Sequence, residues 1–260
     1  MSDFTLLQGT APLLVSVPHD GVEIAPEIAA DFEPHALRVA DTDWHVARLY
    51  AFAREMGAGM LVARWSRYVI DLNRPPDGGA LYPGQAETTL CPSEDFDGRA
   101  LYRPGRAPDA AAVAARRARY WQPYHDALAG ELQRLRAQHA RVLLWDAHSI
   151  RSRIPRLFEG TLPELNVGSA DGLSCAPALQ TALAHALARQ HDCSYVITGR
   201  FKGGYITRHY GQPQQGVQAV QLELAQRCYM DEDAGAWDGA RALPLQALLR
   251  SLLEAAMTAL

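Results

Sequence analysis

The sequence predicts an α/β fold: a single domain over residues 1–260, with a mostly parallel mixed sheet flanked by helices. Short apolar runs alternate along the chain with longer segments of helical periodicity, a pattern typical of strands joined through right-handed helical crossovers. The 260 residues are 48% hydrophobic, which is enough for a full core. No internal repeat or linker composition divides the chain.

The predicted strands are short apolar runs that end in polar or turn residues. They are residues 12–17, 59–64, 68–72, 141–149, 195–198 and 217–224. Ligands bind at the carboxyl ends of strands in sheets of this kind. Polar side chains at those ends are therefore the first candidates for function.

The predicted helices follow from apolar spacing and from capping residues. The first covers 41–56, with Asp41-Thr42 as its N-cap and Gly57 as its end, and the second covers 110–139, kinked or split at Pro123. The third begins at Pro177 and runs to 190, and the last is a C-terminal helix from Leu243. A Pro/Gly-rich stretch over 75–108 predicts irregular structure.

Composition narrows the class of protein. A net charge of −4 without a basic stripe argues against a nucleic-acid partner. No apolar run reaches the roughly 18 residues of a membrane span, and the N-terminus lacks a charged leader, so we expect a cytoplasmic protein. The cysteines are scattered without a C-x-x-C pair, which favours reduced thiols. They are Cys91, Cys175, Cys193 and Cys228. The sequence does not indicate an oligomeric state.

Two histidines lie at strand ends, His19 after the first strand and His148 at the end of 141–149. Two histidines and a carboxylate are the ligands of many catalytic zinc sites, where one position is left for water. Asp41 or Asp43 could complete such a site while the other caps the predicted helix. Asp146 could flank or orient His148.

A catalytic metal lowers the pKa of water and polarises a carbonyl, and a further carboxylate must then move the proton. Glu223, within the strand 217–224, is the candidate. Each of these residues also has a structural interpretation: His19 as a turn residue, and Glu223 as a solvent-facing or ion-paired side chain. No H-E-x-x-H, P-loop or G-x-S-x-G motif occurs.

The segment RYVIDLNRPPD, residues 67–77, places Asn73 and Arg74 after an apolar run and before two prolines. This pair could hold a substrate at a strand end, or it could form a polar turn with Arg74 in a surface ion pair.

The chain resembles the N-formylglutamate amidohydrolase (N-formylglutamate deformylase) family, which is related to aspartoacylase and zinc carboxypeptidases. Seven blocks in order carry the resemblance: VSVPHDG, ADTDWHVARLY, SRYVIDLNRPPD, LLWDAHSIRS, LNVGSADGLSC, RFKGGYITRHYG and VQAVQLELAQRCYMDE. It implies a phosphorylase/hydrolase-like fold and a divalent metal, zinc. The implied reaction cleaves N-formyl-L-glutamate to formate and L-glutamate, a step of histidine degradation.

By this resemblance His19 and His148 match the two histidine ligands of the metal. In the wider superfamily an acidic ligand follows the first histidine by three residues, but that position is Val22 in this chain. Asp43 is preferred as the third ligand because its block opens the predicted helix, and Asp41 is the alternative.

The resemblance also implies roles for the remaining candidates. Asn73 and Arg74 would bind the α-carboxylate of the substrate, with Arg74 supplying a bidentate fork. Arg67 would stabilise the oxyanion of the tetrahedral intermediate, and Glu223 matches the general base.

The second carboxylate of the substrate needs its own cation. Lys202 and Arg208, in the predicted glycine-punctuated loop RFKGGYITRHYG, are the candidates, and both could instead be surface charges of that loop. Two other functions stay open. One is a deacylase for other N-acyl amino acids or a carboxypeptidase-like enzyme on the same fold, and the other is a metal- or ligand-binding module without catalysis.

Overall fold

A seven-stranded mixed sheet organises the chain in the computed structural model, which describes residues 3–81, 84 and 87–260. The strands are β1 (Phe4–Leu7), β2 (Leu13–Val17), β3 (Gly59–Ala63), β4 (Val142–Ile150), β5 (Leu165–Gly168), β6 (Tyr195–Ile197) and β7 (Val217–Ala225), with a small separate hairpin of β8 (Met230–Asp231) and β9 (Ala236–Trp237). Within the large sheet the order is β1-β3-β2-β4-β7-β5-β6.

Strands β3, β2, β4 and β7 are mutually parallel, whereas β1 and β5 pair antiparallel with their neighbours β3 and β7. The carboxyl ends of four adjacent strands therefore open at the same edge of the sheet. In the central pair, β4 and β7, His148 lies in register with Glu223.

Helices cover both faces of the sheet. They are α1 (Pro26–Ala29), α2 (Val46–Leu49), α3 (Ala110–Arg116), α4 (Gln122–Arg136), α5 (Pro177–Arg189), α6 (Tyr205–Tyr210) and α7 (Gly239–Thr258). Side chains on β4 alternate between the faces: Leu143 packs with α5 and α7, and Leu144 packs with α4. Such strands, buried on both faces, give the near-continuous apolar runs of the sequence.

The predicted α/β class, with a mixed sheet flanked by helices, is confirmed. The prediction of a single domain over 1–260 stays a prediction. Pro123 falls near a break, as expected, where a π-helical turn over Arg117–Trp121 separates α3 from α4. The described part of 75–108 contains no helix or strand of the sheet, while residues 82–83 and 85–86 of that stretch lie outside the described residues.

Two predicted elements are wrong. The helix over 41–56 is reduced to α2 and a 3₁₀ turn, because His45 adopts a left-handed backbone with φ of 64° and interrupts any helix from Asp41. The strand over 68–72 is a buried turn, in which the backbone N–H of Asp71 donates to the carbonyl of Leu90 rather than to a neighbouring strand.

Smaller differences concern α6 and α7. The segment predicted as a loop around Arg208 contains α6. The C-terminal helix begins four residues before Leu243, because the Asp238 side chain caps it by accepting from the N–H groups of Ala240 and Arg241.

Candidate active site

The strand-end polar residues converge at the carboxyl edge of β2, β4 and β7. His19 lies two residues beyond the end of β2, and His148 and Glu223 lie within the last three residues of their strands. All three side chains are buried. They line one cleft that contains about 580 Å³ of empty space, part of it open to solvent.

His19, Asp43 and His148 form what we call the His-Asp-His cluster. One ligand atom from each lies within 4.8 Å of the others. Oδ2 of Asp43 is 3.0 Å from Nδ1 of His148 and 3.7 Å from Nδ1 of His19. The two imidazoles therefore present the same ring nitrogen to a common point.

Local backbone contacts fix Asp43 in this position. Its N–H donates to the carbonyl of His19, at 3.0 Å, and its carboxylate accepts from the N–H of Ser149, at 3.1 Å. Asp41, the alternative ligand, faces elsewhere: its Oδ2 accepts from the N–H of Phe96, and Oδ1 lies 3.8 Å from Arg151. Geometry thus separates the two aspartates and places Asp43 with the histidines.

The far nitrogens of both histidines are held by carboxylates. Nε2 of His19 is 2.8 Å from Oδ1 of Asp71, and Nε2 of His148 is 3.2 Å from Oδ2 of Asp146. The amide nitrogen of Asn73 also contacts His148 and Asp146, at 2.9 and 3.1 Å. Partners of this kind orient ligating histidines and fix which nitrogen faces a metal.

The electrostatics of the cluster favour positive charge on its histidine side. Burial opposes a charge on His148, but Asp146 and Asp43 outweigh it and raise the pKa of His148 well above its usual value. Burial would likewise raise the pKa of Asp43, yet Arg67 and the two histidines hold that pKa below its usual range. A cation at this point would be stabilised by the same carboxylates.

The residues fit a divalent metal ion. Among the described residues, Nδ1 of His19 is a buried nitrogen without a hydrogen-bond partner, and it faces Asp43. Two imidazoles and a carboxylate suit zinc and similar ions, and they leave coordination positions open. The cluster can therefore hold a metal ion, whose identity the geometry alone does not specify.

Glu223 lies next to the cluster, across from His148 in the sheet register. Its carboxylate accepts from Nε2 of Gln221 at 3.3 Å, and Oε1 of Gln221 accepts from the N–H of Gly204 at 2.7 Å. Burial, reinforced by the charge of Asp43, raises the pKa of Glu223 above its usual range. A carboxylate in this state is suited to exchanging protons near neutral pH.

Two arginines of the segment 67–77 line the cleft. Arg67 is buried and forms an ion pair with Asp43, and its guanidinium lies 5.1 Å from the ring centroid of Phe96. Arg74 is held by Thr88, whose carbonyl and hydroxyl accept from Nε and Nη2 at 2.8 Å each. Both cations are thus positioned before any ligand arrives.

Lys202 and Arg208 are not among the described residues that line the cleft. Nζ of Lys202 is 3.1 Å from Asp171, and Nε of Arg208 donates to the carbonyl of Gly203 at 2.8 Å. Arg200, two residues before Lys202, does line it. The two residues chosen from the sequence are therefore displaced from the cleft, and a neighbouring arginine is present instead.

Sequence reasoning missed Asp71, Gln221 and Arg200. Asp71 carried a signal, because it directly precedes the Leu-Asn-Arg segment at the end of an apolar run. Gln221 sits two residues before Glu223 on a strand, which places both on the same face. Arg200 had no signal beyond its position in the glycine-rich block.

Comparison with known proteins gives a consistent result. The family model described as N-formylglutamate amidohydrolase matches residues 11–230. The N-formylglutamate deformylase of Pseudomonas aeruginosa is 52% identical over 248 residues, which cover 95% of this chain and 93% of that protein. The enzyme of the same name from Pseudomonas putida is 47% identical over 249 residues, with the same coverage of both chains.

Solved structures support the fold. The N-formylglutamate amidohydrolase of Ralstonia eutropha JMP134 superposes with a TM-score of 0.81 at 23% identity, covering 99% of this chain and 97% of that one. A gene product of Agrobacterium tumefaciens gives a TM-score of 0.71 at 19% identity, covering 98% and 96%. At these identities the structures establish the architecture alone.

Proposed function

We propose that this chain, which belongs to the N-formylglutamate amidohydrolase family, hydrolyses N-formyl-L-glutamate to formate and L-glutamate. The family model and the curated relatives confirm the family resemblance found in the sequence, and the chain is a hydrolase. The observation that carries the proposed reaction is the buried His-Asp-His cluster, whose two histidines line the same cleft as Glu223 and three arginines.

His19, Asp43 and His148 would hold the metal ion, and we propose zinc because the ligand set suits it. A bound divalent ion supplies a Lewis acid for the formyl carbonyl and makes water acidic enough to attack near neutral pH. Asp71 and Asp146 keep the two imidazoles oriented toward that point. Asp146 therefore has an orienting role in this proposal, and Asp41 has no role at the metal.

Glu223 would act as the general base and then as the general acid. Its carboxylate lies beside the cluster, where it can take a proton from the attacking water and return it to the departing amine nitrogen. The raised pKa of Glu223 suits this exchange, because the group can gain and lose a proton near neutral pH.

Arg67 would stabilise the negative charge that develops on the formyl oxygen. It lies at the wall of the cleft and is oriented by its ion pair with Asp43. Arg74 would bind the α-carboxylate of the substrate, since its guanidinium is fixed by Thr88 in the same wall. Asn73 borders the cleft beside Arg74, and its amide also contacts His148.

A direct test measures formate released from N-formyl-L-glutamate by the purified, zinc-loaded protein. Rates on N-formyl-, N-acetyl- and N-succinyl-L-glutamate would separate this reaction from that of a more general deacylase. We expect the formyl compound to be preferred, because a formyl group needs the least space beside the cluster. No turnover of any of the three would support a binding module instead.

Three further expectations stay predictions: a place in histidine degradation, a cytoplasmic location and the absence of a nucleic-acid partner. In the part of the chain that the structure describes, no helix combines the length and apolar character needed to cross a bilayer.

A further inference from the structure

We infer that Arg200 binds the side-chain carboxylate of the substrate and so determines the preference for a glutamate over an uncharged amino acid. This inference rests on the proposed function, because it concerns the second anionic group of N-formyl-L-glutamate. Three arginines lie among the described residues that line the cleft: Arg67, Arg74 and Arg200. The substrate has three matching anionic features, which are two carboxylates and the oxyanion that develops during hydrolysis.

The other two arginines lie where they would contact other parts of the substrate, which leaves the side-chain carboxylate to Arg200. Arg67 is buried against Asp43 beside the His-Asp-His cluster, where only the reacting carbonyl would lie. Arg74 is held by Thr88 and directly follows Asn73, whose amide contacts His148. Arg200 belongs to a different part of the wall, formed with Leu157 and Phe201.

Backbone contacts orient the guanidinium of Arg200. Its Nε donates to the carbonyl of Leu157 at 2.8 Å, and the guanidinium carbon lies 5.5 Å from the ring centroid of Phe201. Phe201 in turn packs edge-to-face against Phe158, with ring centroids 6.1 Å apart. The guanidinium is thereby held in the cleft wall, and its planar fork is the side-chain group best suited to a bidentate contact with a carboxylate.

The loop that carries Arg200 is hydrogen-bonded at both ends to strands of the sheet. At its start the N–H of Thr198 donates to the carbonyl of Val167, at 2.8 Å, and at its end the N–H of Gly204 donates to Gln221, at 2.7 Å. A Cβ on Gly204 would lie 2.4 Å from the amide of Asn73, so glycine is required for this close approach. These contacts hold the loop against β5 and against β7, the strand that carries Glu223.

Rival cations for this role are Lys202 and Arg208, which lie on the same stretch of chain. Lys202 forms an ion pair with Asp171, and Arg208 lies on α6 with its Nε on the carbonyl of Gly203. Neither is among the described residues of the cleft wall. Both provide matched controls, because each substitution removes one positive charge within eight residues of Arg200.

The test compares kcat/KM for N-formyl-L-glutamate with that for N-formyl-L-glutamine, which has nearly the same shape but a neutral side chain. In Arg200→Met we expect kcat/KM for the glutamate compound to fall by about 100-fold or more, as for loss of a buried charge partner. The value for the glutamine compound should change by only a few-fold. Lys202→Met and Arg208→Met should keep the wild-type ratio of the two substrates.

Thermal unfolding and far-UV circular dichroism would confirm that the variants are folded. Arg200→Gln, which keeps a donor for the carbonyl of Leu157, should show the same selective loss and guards against misfolding of the methionine variant. Equal losses on both substrates in both variants would overturn the inference, and so would a selective loss in Lys202→Met. Wild-type protein that releases no formate from N-formyl-L-glutamate would overturn the proposed function itself. Active wild type with an unchanged ratio in Arg200→Met would overturn only the role of Arg200.

Discussion

Buried histidines occupy two environments in the described part of this molecule, and the two environments differ in charge. In the His-Asp-His cluster, His19 and His148 each have carboxylates on both ring nitrogens. In a second group, which we call the aromatic cluster, His125 packs among Trp121, Tyr205 and Tyr210. Its Nε2 donates to the carbonyl of Leu72 at 2.9 Å, and Nδ1 is 3.0 Å from the hydroxyl of Tyr210.

The difference shows that burial alone does not mark a functional histidine. Carboxylates raise the pKa of His148 well above its usual value, whereas burial among neutral partners lowers the pKa of His125 to about 3. The first environment favours a cation at the imidazoles, and the second favours a neutral ring that packs and donates one hydrogen bond. The chemical nature of the groups around a histidine, rather than its depth of burial, distinguishes a metal-binding histidine from one that packs in the core.

The largest expected effect concerns Glu223, which borders the His-Asp-His cluster. We expect Glu223→Gln to lower kcat by about 10²- to 10⁴-fold, because the proton transfer is lost while the ligands remain. Formate release and the zinc content per chain measure the two properties separately. His125→Gln, in the aromatic cluster, is the control and should change kcat by only a few-fold. Near-normal turnover of Glu223→Gln would remove it from the mechanism.

Removal of metal should act on stability through the His-Asp-His cluster alone. At free zinc 100 times its dissociation constant, binding should add about 2.7 kcal/mol to the free energy of unfolding. Urea unfolding of chelator-treated protein, with and without added zinc, measures this increment. His125→Gln should show the same increment as wild type. If zinc adds no stability to wild type, the cluster does not bind it.

The carboxylate behind His19 should tune metal affinity. We expect Asp71→Asn to weaken zinc binding by about 10- to 100-fold, because the amide supports the ligating imidazole less well. Competition with a chromophoric chelator gives the affinity. Asp41→Asn is the matched control: it is also a buried aspartate, but its carboxylate contacts the N–H of Phe96 and not a histidine. A larger loss of zinc affinity in Asp41→Asn than in Asp71→Asn would show that Asp41, rather than Asp71, supports the metal site.

The last expected effect is the contribution of His125 to acid stability. Its pKa is about 3 in the folded protein, below the usual value of 6.5, so the unfolded chain binds more protons between these limits. This contribution to the free energy of unfolding is complete above pH 6.5 and declines toward pH 3, by at most about 1.4 kcal/mol per pH unit.

Urea unfolding of wild type and His125→Gln between pH 7 and pH 4 isolates this contribution. The difference between the two proteins should be largest at pH 7 and should shrink as the pH falls. A difference that stays constant over this range would mean that His125 keeps its ordinary pKa.

Much of the sheet is predictable because its strands are apolar runs of the expected length. The run over 68–72 shows the limit: Val69 and Ile70 are buried, but whether a buried run is a strand depends on a distant pairing partner. Here Asp71 pairs with Leu90 instead, a contact that local sequence does not reveal.

The convergence of His19 and His148 follows from their places at strand ends, and the structure brings them together. The choice between Asp41 and Asp43 depended on the direction of side chains in a loop, which neither periodicity nor composition determines. The same holds for Arg200 and Lys202, two residues apart on an irregular segment. Strand ends can be located from sequence, whereas the direction in which a loop side chain points depends on the tertiary fold.

Glu223 lies within strand β7 rather than in the loop after it. Strands β4 and β7 are paired over nine residues each, and β5 closes the other side of β7. Amide hydrogens here should therefore be among the slowest in the protein to exchange with solvent, since they open only when the whole domain unfolds. Engineering can vary the loop that carries Arg200 while His148 and Glu223 stay on rigid, paired strands, so altered substrate selectivity should be easier to obtain than altered chemistry.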